Sequence, residues 1–190
     1  PVVGYFVPRG RDTAKILYLI YIVMTLVQTL MLWAGDMSFF ESIVHSFGTA
    51  GTGGFGVKAN SIAGYSAYSQ NVIATFMLLF GINFNLYFLL LIRRPKPVFR
   101  STELWVYLGI VAVSVAIVTV NIYPEQQSLA DALRLAYFQV SSIITTTGFS
   151  TADFNLWPSL SKGILLLLMF IGGCAGSTAG GLKISRVVIL

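Results

Sequence analysis

Apolar and polar positions fall into a long, short, long alternation that runs through the chain twice. Residues 16–34 are apolar apart from Thr25, Gln28 and Thr29, long enough for the roughly 20 residues that cross the hydrocarbon core of a bilayer. The next apolar run, 38–50, is too short to span and predicts a re-entrant half-helix, with Asp36 and Ser38 as candidate N-caps. After a polar, turn-forming stretch over 58–70, residues 72–92 are apolar again, interrupted by Asn83 and Asn85, and close at Arg93-Arg94-Pro95-Lys96-Pro97. The second round has a spanning run at 104–122, ending at Tyr123-Pro124. A short helix at 128–142 follows, with Ser128 as N-cap and Asp131 at the third helical position. Beyond a loop at 151–161 a fourth apolar helix begins at 163–171, breaks, and resumes at 182–190. The break contains five glycines in ten residues, too many for a regular helix.

The pattern predicts an all-α polytopic membrane protein with four spanning segments and two half-helices, built as tandem helix/pore-loop/helix repeats. The boundaries expected are a cytoplasmic segment over 1–15, a first repeat over 16–92, a cytoplasmic linker over 93–103 and a second repeat over 104–190.

Each short helix leads into a glycine-bearing polar run: Gly51-Thr52-Gly53-Gly54-Phe55-Gly56 in the first repeat, Thr145-Thr146-Thr147-Gly148-Phe149-Ser150 in the second. Superposing Gly54 on Gly148 gives an offset of 94 residues and aligns Thr52 with Thr146. Non-helical backbone at bilayer depth is tolerated only where protein buries it or where it lines a water-filled path, and rings of backbone carbonyls are how potassium filters replace an ion's hydration shell. Glycine admits the backbone angles that turn successive carbonyls inward. Threonine adds a hydroxyl and a stiff side chain that packs behind the strand. The partial negative charge at the C-terminus of each short helix attracts a cation. A Thr/Gly turn between buried helices is the alternative for one isolated copy; two copies in one context favour an ion path.

Composition agrees with a lipid solvent. Of 190 residues, 56% are hydrophobic and 10% charged, against about 25% charged in soluble domains, and the mean hydropathy is +0.80. The single cysteine, Cys174, excludes a disulfide framework and reads as a packing residue. The net charge of +5 does not point to nucleic acid, because the basic residues stand at helix ends without an aromatic-interleaved basic face. They serve as topology signals. Arg9, Arg11, Lys15, Arg93, Arg94, Lys96, Arg100, Lys183 and Arg186 fall on one side, against Lys58, Arg134 and Lys162 on the other, which puts the larger group in the cytoplasm. Both glycine loops then open outward, into a vestibule with Asp36, Glu41, Glu125, Asp131 and Asp153 that concentrates cations; Lys58 opposes it. Residues 1–8 do not read as a signal peptide, and the chain reads as a piece of a longer protein.

The run 141–153, Ser-Ser-Ile-Ile-Thr-Thr-Thr-Gly-Phe-Ser-Thr-Ala-Asp, followed by Gly172-Gly173-Cys174-Ala175-Gly176-Ser177-Thr178-Ala179-Gly180-Gly181-Leu182-Lys183, resembles the potassium-translocating membrane subunit of the bacterial Trk/Ktr transport family. The resemblance covers nearly the whole chain, as the middle two of four pore-loop repeats. It implies potassium as the transported substrate, with ion sites at Gly54 and Gly148 and neighbouring filter oxygens from Thr52, Gly53, Thr145, Thr146 and Thr147. It implies that residues 172–181 form an intramembrane loop that gates the path. It further implies a homodimer in the bacterial cytoplasmic membrane, in contact with lipid, a cytosolic nucleotide-binding regulatory subunit and the flanking repeats of the same chain, with no bound cofactor. Gly56-Val57-Lys58 departs from the family's small polar residues after the filter.

Other readings are weaker. Residues 176–181 do not meet the order of a phosphate-binding loop, since Lys183 follows Gly181-Leu182 and precedes Ile184, and the first glycine loop lacks the βαβ unit of a dinucleotide fingerprint. Small-residue helix packing is the plainer account of 172–181. His45, opposite Gln139 at the repeat offset, reads as a hydrogen-bonded strut rather than a proton relay. Asn83 and Asn85 are expected to bond between helices, and Trp33, Trp105 and Trp157 to anchor at the interface. No catalytic cluster is present, so an enzyme is not expected. A two-pore-loop cation channel subunit assembling as a dimer is the alternative function, disfavoured by the broken last helix and by the missing Thr-Val-Gly-Tyr-Gly pattern.

Overall fold

The computed structural model describes residues 10–189; Arg9 and most of the segment 1–15 lie outside them. The described residues form nine α-helices: α1 Gly10–Trp33, α2 Phe39–Ala50, α3 Ala67–Phe80, α4 Phe84–Leu91, α5 Lys96–Phe99, α6 Thr102–Ile122, α7 Leu129–Ile144, α8 Ser159–Phe170 and α9 Ile184–Ile189. The only β-pairing among them is an isolated parallel bridge between Ile171 and Leu182.

Two helices, over Thr13–Trp33 and Thr102–Glu125, are each long and apolar enough to cross a membrane. Along α1, Tyr18, Leu19, Ile22, Leu26 and Leu30 are more than half exposed, a face suited to hydrocarbon. Its polar interruptions turn the other way: the Thr25 and Thr29 hydroxyls donate to carbonyls one turn back, and Gln28 Nε2 donates to Thr49 Oγ1 at 2.9 Å, tying α1 to the end of α2. A hydroxyl satisfied by its own helix can lie in lipid without an unpaired donor.

The short helices start as expected. Ser38 caps α2 in a full capping box with Glu41, worth about 1 kcal/mol, while Asp36 is drawn elsewhere. Ser128 caps α7; its hydroxyl donates to Asp131 Oδ2 rather than leaving that carboxylate to the cap's own N–H.

The second and fourth spans differ from expectation. Where one helix is expected over 72–92, α3 and α4 meet at a bend of 89°. Gly81 ends α3, and Asn83 restarts the chain by accepting the Asn85 N–H at 2.9 Å. Asn83 is therefore a cap, not an interhelical bond. A Cβ at Gly81 would strike the Tyr107 hydroxyl, so a larger residue could not close the gap. The fourth span divides into α8 and α9. With the bent pair taken as one span, three helical units meet the length and apolarity of a crossing, and α8, of 12 residues, is apolar but shorter than a span.

Two apolar cores hold the chain together. The first gathers α1, α2 and α3 around Leu32, Ile73, Met77 and Phe80, and also takes Phe138 and Phe149 from the second unit. The second gathers α6, α7 and α8 around Tyr107, Val118, Ile144 and Leu165. Contact between α3 and α7 joins the units. Trp157 is 5% exposed in the second core, so only Trp33 and Trp105 fit an interfacial role.

Candidate functional site

The two glycine loops share one backbone design. In the first, Gly51 N–H donates to Phe47 O, Thr52 N–H to Thr49 O, and Gly53 and Gly54 N–H both to Gly48 O. In the second, Thr145 donates to Ser141 O, Thr146 to Ile143 O, and Thr147 and Gly148 both to Ser142 O. Each bond recurs at the same 94-residue offset. Thr52 and Thr146 both adopt left-handed backbone, φ 49° and 58°, and the glycines two residues later do so at 67° and 90°. Left-handed backbone is unfavourable for threonine, so its presence twice at matched positions reflects a constraint from the surrounding fold.

This winding spends the N–H groups inward on the half-helix ends. Among the described residues, none of the carbonyls of residues 52–54 or 145–148 accepts a hydrogen bond. Backbone oxygens left without a partner in an apolar surrounding carry an energetic cost.

The side chains divide into backing and lining. Thr145 Oγ1 donates to Ser141 O at 2.7 Å and lies 2.8 Å from Thr147 Oγ1, both side chains buried; these hydroxyls brace the strand from behind. Ser142 Oγ donates to Phe149 O at 2.5 Å, and the Phe149 ring is buried against His45, 5.9 Å away, and Gly48. Its counterpart Phe55 is 81% exposed. The loops touch where a Cβ on Gly54 would run into the Thr147 carbonyl, whereas a Cβ on Gly148 would meet nothing within 4 Å.

Residues 172–181 lie against the inner ends of both loops. Gly180 N–H donates to Thr146 Oγ1 at 2.7 Å, and Thr52 Oγ1 donates to Thr178 O at 3.2 Å. The segment leaves the α8–α9 axis at a narrow neck, where Gly172 N–H donates to Leu182 O at 2.8 Å and Leu182 N–H to Phe170 O at 3.2 Å. It is stitched to the α3–α4 bend as well: Cys174 N–H donates to Gly81 O at 2.9 Å and Phe84 N–H to Gly176 O at 3.1 Å. Both second helices of the repeats are thus broken, and the two breaks bond to each other. Ala175 N–H donates to Glu103 Oε1 at 2.6 Å. Cys174 is fully buried, as a packing residue should be.

The expected acidic vestibule is less acidic in effect than its composition suggests, because four of its five carboxylates, all but Glu125, are taken up locally. Asp36 accepts from the Ser66 N–H and hydroxyl and from the Ser69 hydroxyl. Burial works against its charged form, yet those hydrogen bonds outweigh it and hold the carboxyl below its ordinary range. Glu41 is held low by the Ser38 N–H and by the Tyr65 and Ser38 hydroxyls. Lys58 stands 4.0 Å from Glu41 Oε1 and 3.8 Å above the Tyr65 ring, so its ammonium is engaged behind the first loop. Asp131 pairs with Arg134 at 2.9 Å and Asp153 accepts from Asn155. His45 Nδ1 lies 2.7 Å from Glu41 O while Nε2 is buried without a partner, consistent with a strut bonded at one end.

Sequence reasoning gave no role to Ser142 or Glu103 and used Phe149 only as part of the repeated loop. Ser142 could have been found as the residue 94 beyond Gly48, and Glu103 as the acid set among Arg93, Arg94, Lys96 and Arg100.

Paired half-helices ending in carbonyl-bearing loops, held by long apolar helices, define an all-α membrane protein of the transporter class. The sequence matches the family model TrkH, cation transport protein, over residues 4–190, and the chain belongs to that family. The Trk system potassium uptake proteins TrkH of Salmonella typhimurium and Escherichia coli K12 are each 40% identical over 96% of the chain. The crystal structure of the potassium transporter TrkH from Vibrio parahaemolyticus superposes with a TM-score of 0.90 at 33% identity over 98% of the chain. The chain spans 39% of the length of those two relatives and 41% of the chain in that crystal structure.

Proposed function

We propose that this chain supplies two sides of a potassium-selective filter in a multi-pass protein of the bacterial cytoplasmic membrane, and that residues 172–181 gate the path from below. The observation that carries the reading is the paired winding of residues 51–54 and 145–148, with unbonded carbonyls. Potassium is the substrate, at sites beside Gly54 and Gly148, because the relatives carry potassium uptake in their names. The remaining sides come from flanking repeats of a longer chain, a reading supported by the two-fifths coverage of the relatives and favoured by it over a two-loop channel dimer. A homodimer and a cytosolic nucleotide-binding regulatory subunit complete the assembly.

The test is Gly148→Ser in the full-length protein. Its φ of 90° disfavours any side chain, and the added Cβ has open space in front of it; the cost falls on loop geometry rather than packing. Potassium uptake should fall relative to sodium uptake by about tenfold, the factor for a 1.4 kcal/mol loss of discrimination. Equal ratios in variant and parent would sink the filter assignment.

A further inference from the structure

The loop over 172–181 is fastened at many points, almost all through neutral groups. Its neck joins its own ends; Cys174, Gly176 and Thr178 bond to the backbone of residues 80–84; Thr52 and Thr146 meet its far side. The Lys183 ammonium donates to Ala179 O, but Lys183 follows the neck by one residue and travels with the same segment. Glu103 differs on both counts. It is a carboxylate acceptor, and it stands 72 residues away in sequence in the first turn of α6.

That helix is a firm base. Ser101 caps it, and it packs on α7, α8 and α9. One turn beyond Glu103, on the same face, Tyr107 is fully buried, donates to Leu78 O at 3.2 Å and blocks any Cβ at Gly81. A single face of α6 therefore braces the loop through Glu103 and the α3–α4 bend through Tyr107.

We propose that Glu103 is the positioning residue that holds the intramembrane loop beneath the filter, by accepting the Ala175 N–H at mid-loop. The inference rests on the gate reading of 172–181 for its functional meaning, but the clamp itself is separable. Hydrogen bonds to charged acceptors are shorter and stronger than neutral ones, and the 2.6 Å contact is shorter than any of the loop's backbone bonds to residues 80–84. A carboxylate in a first helical turn is also favourable through the helix dipole alone. Aspartate keeps that contribution and loses the reach; glutamine keeps an acceptor oxygen at the same reach and loses the charge.

Cys174, fully buried beside Ala175, reports the loop's position. In the full-length protein carrying Cys174 as its single cysteine, the rate of modification by a charged methanethiosulfonate should rise by roughly tenfold or more in Glu103→Ala, the factor that matches losing a hydrogen bond to a charged group. Glu103→Asp should show the same rise, and carries the comparison if the alanine variant does not insert. Glu103→Gln, which keeps the reach and loses the charge, should fall between the parent and Ala rates. Parent-like labelling in both Ala and Asp variants overturns the clamp, as does labelling of the Gln variant as fast as Ala. Potassium flux through a variant shortened within 172–181 is the separate control: raised flux supports the obstruction, and unchanged flux removes the gate reading while the labelling still decides the clamp.

Discussion

Gly54 and Gly148 occupy matched positions, yet their surroundings differ. Both hold positive φ, so any side chain is strained at either. Only Gly54 abuts the neighbouring loop, with the Thr147 carbonyl where its Cβ would go. Gly54→Ala should therefore destabilise the purified full-length protein by about 1–3 kcal/mol more than Gly148→Ala, the usual cost of overpacking a filled site. Thermal unfolding of the two variants side by side checks this; equal midpoints would mean that the loops do not press together. The glycines themselves are legible in sequence, because a glycine closing a threonine-bearing run between apolar helices marks backbone that has turned out of the helix. Which of them is crowded is not legible, since crowding depends on a partner loop 94 residues away.

At the level of elements, the long helices and both half-helices are legible from run length and from Ser38 and Ser128. The bend between α3 and α4 is not. Residues 72–92 are as apolar as any span, and one glycine is tolerated inside a helix at a cost of about 1 kcal/mol. What breaks the helix is tertiary: Tyr107 claims the space beside Gly81, Asn83 caps the next helix, and the loop from the second repeat bonds to the carbonyls of Phe80 and Gly81 at the end of α3. The break over 172–181 announces itself by composition, whereas its partner is made by contacts. Gly81→Ala should cost about 1–3 kcal/mol by forcing a methyl group against the Tyr107 hydroxyl, and Tyr107→Phe should recover part of that loss. Unfolding midpoints in a double-mutant cycle measure the coupling; additive effects would show that the hydroxyl is not what excludes the side chain.

Across the whole molecule, the duplication reaches from residue spacing to hydrogen-bond pattern, and the copies have diverged around a shared frame. The second loop is backed by hydroxyls and seated on the first unit through Phe149; the first presents Phe55 outward and glycines where the second has Thr145 and Thr147. Charge patterning overstated the acidic mouth, because a list of carboxylates does not reveal that Ser66, Ser69, Tyr65 and Arg134 already occupy Asp36, Glu41 and Asp131. The proposed filter and gate both depend on matched carbonyls of the two loops facing one ion path. Anomalous diffraction from crystals of the full-length protein soaked in rubidium locates that path. Rubidium peaks are expected between the loops, within coordination distance of carbonyl oxygens from both 52–54 and 145–148; a well-ordered filter with rubidium bound elsewhere and none between the loops would contradict a shared path.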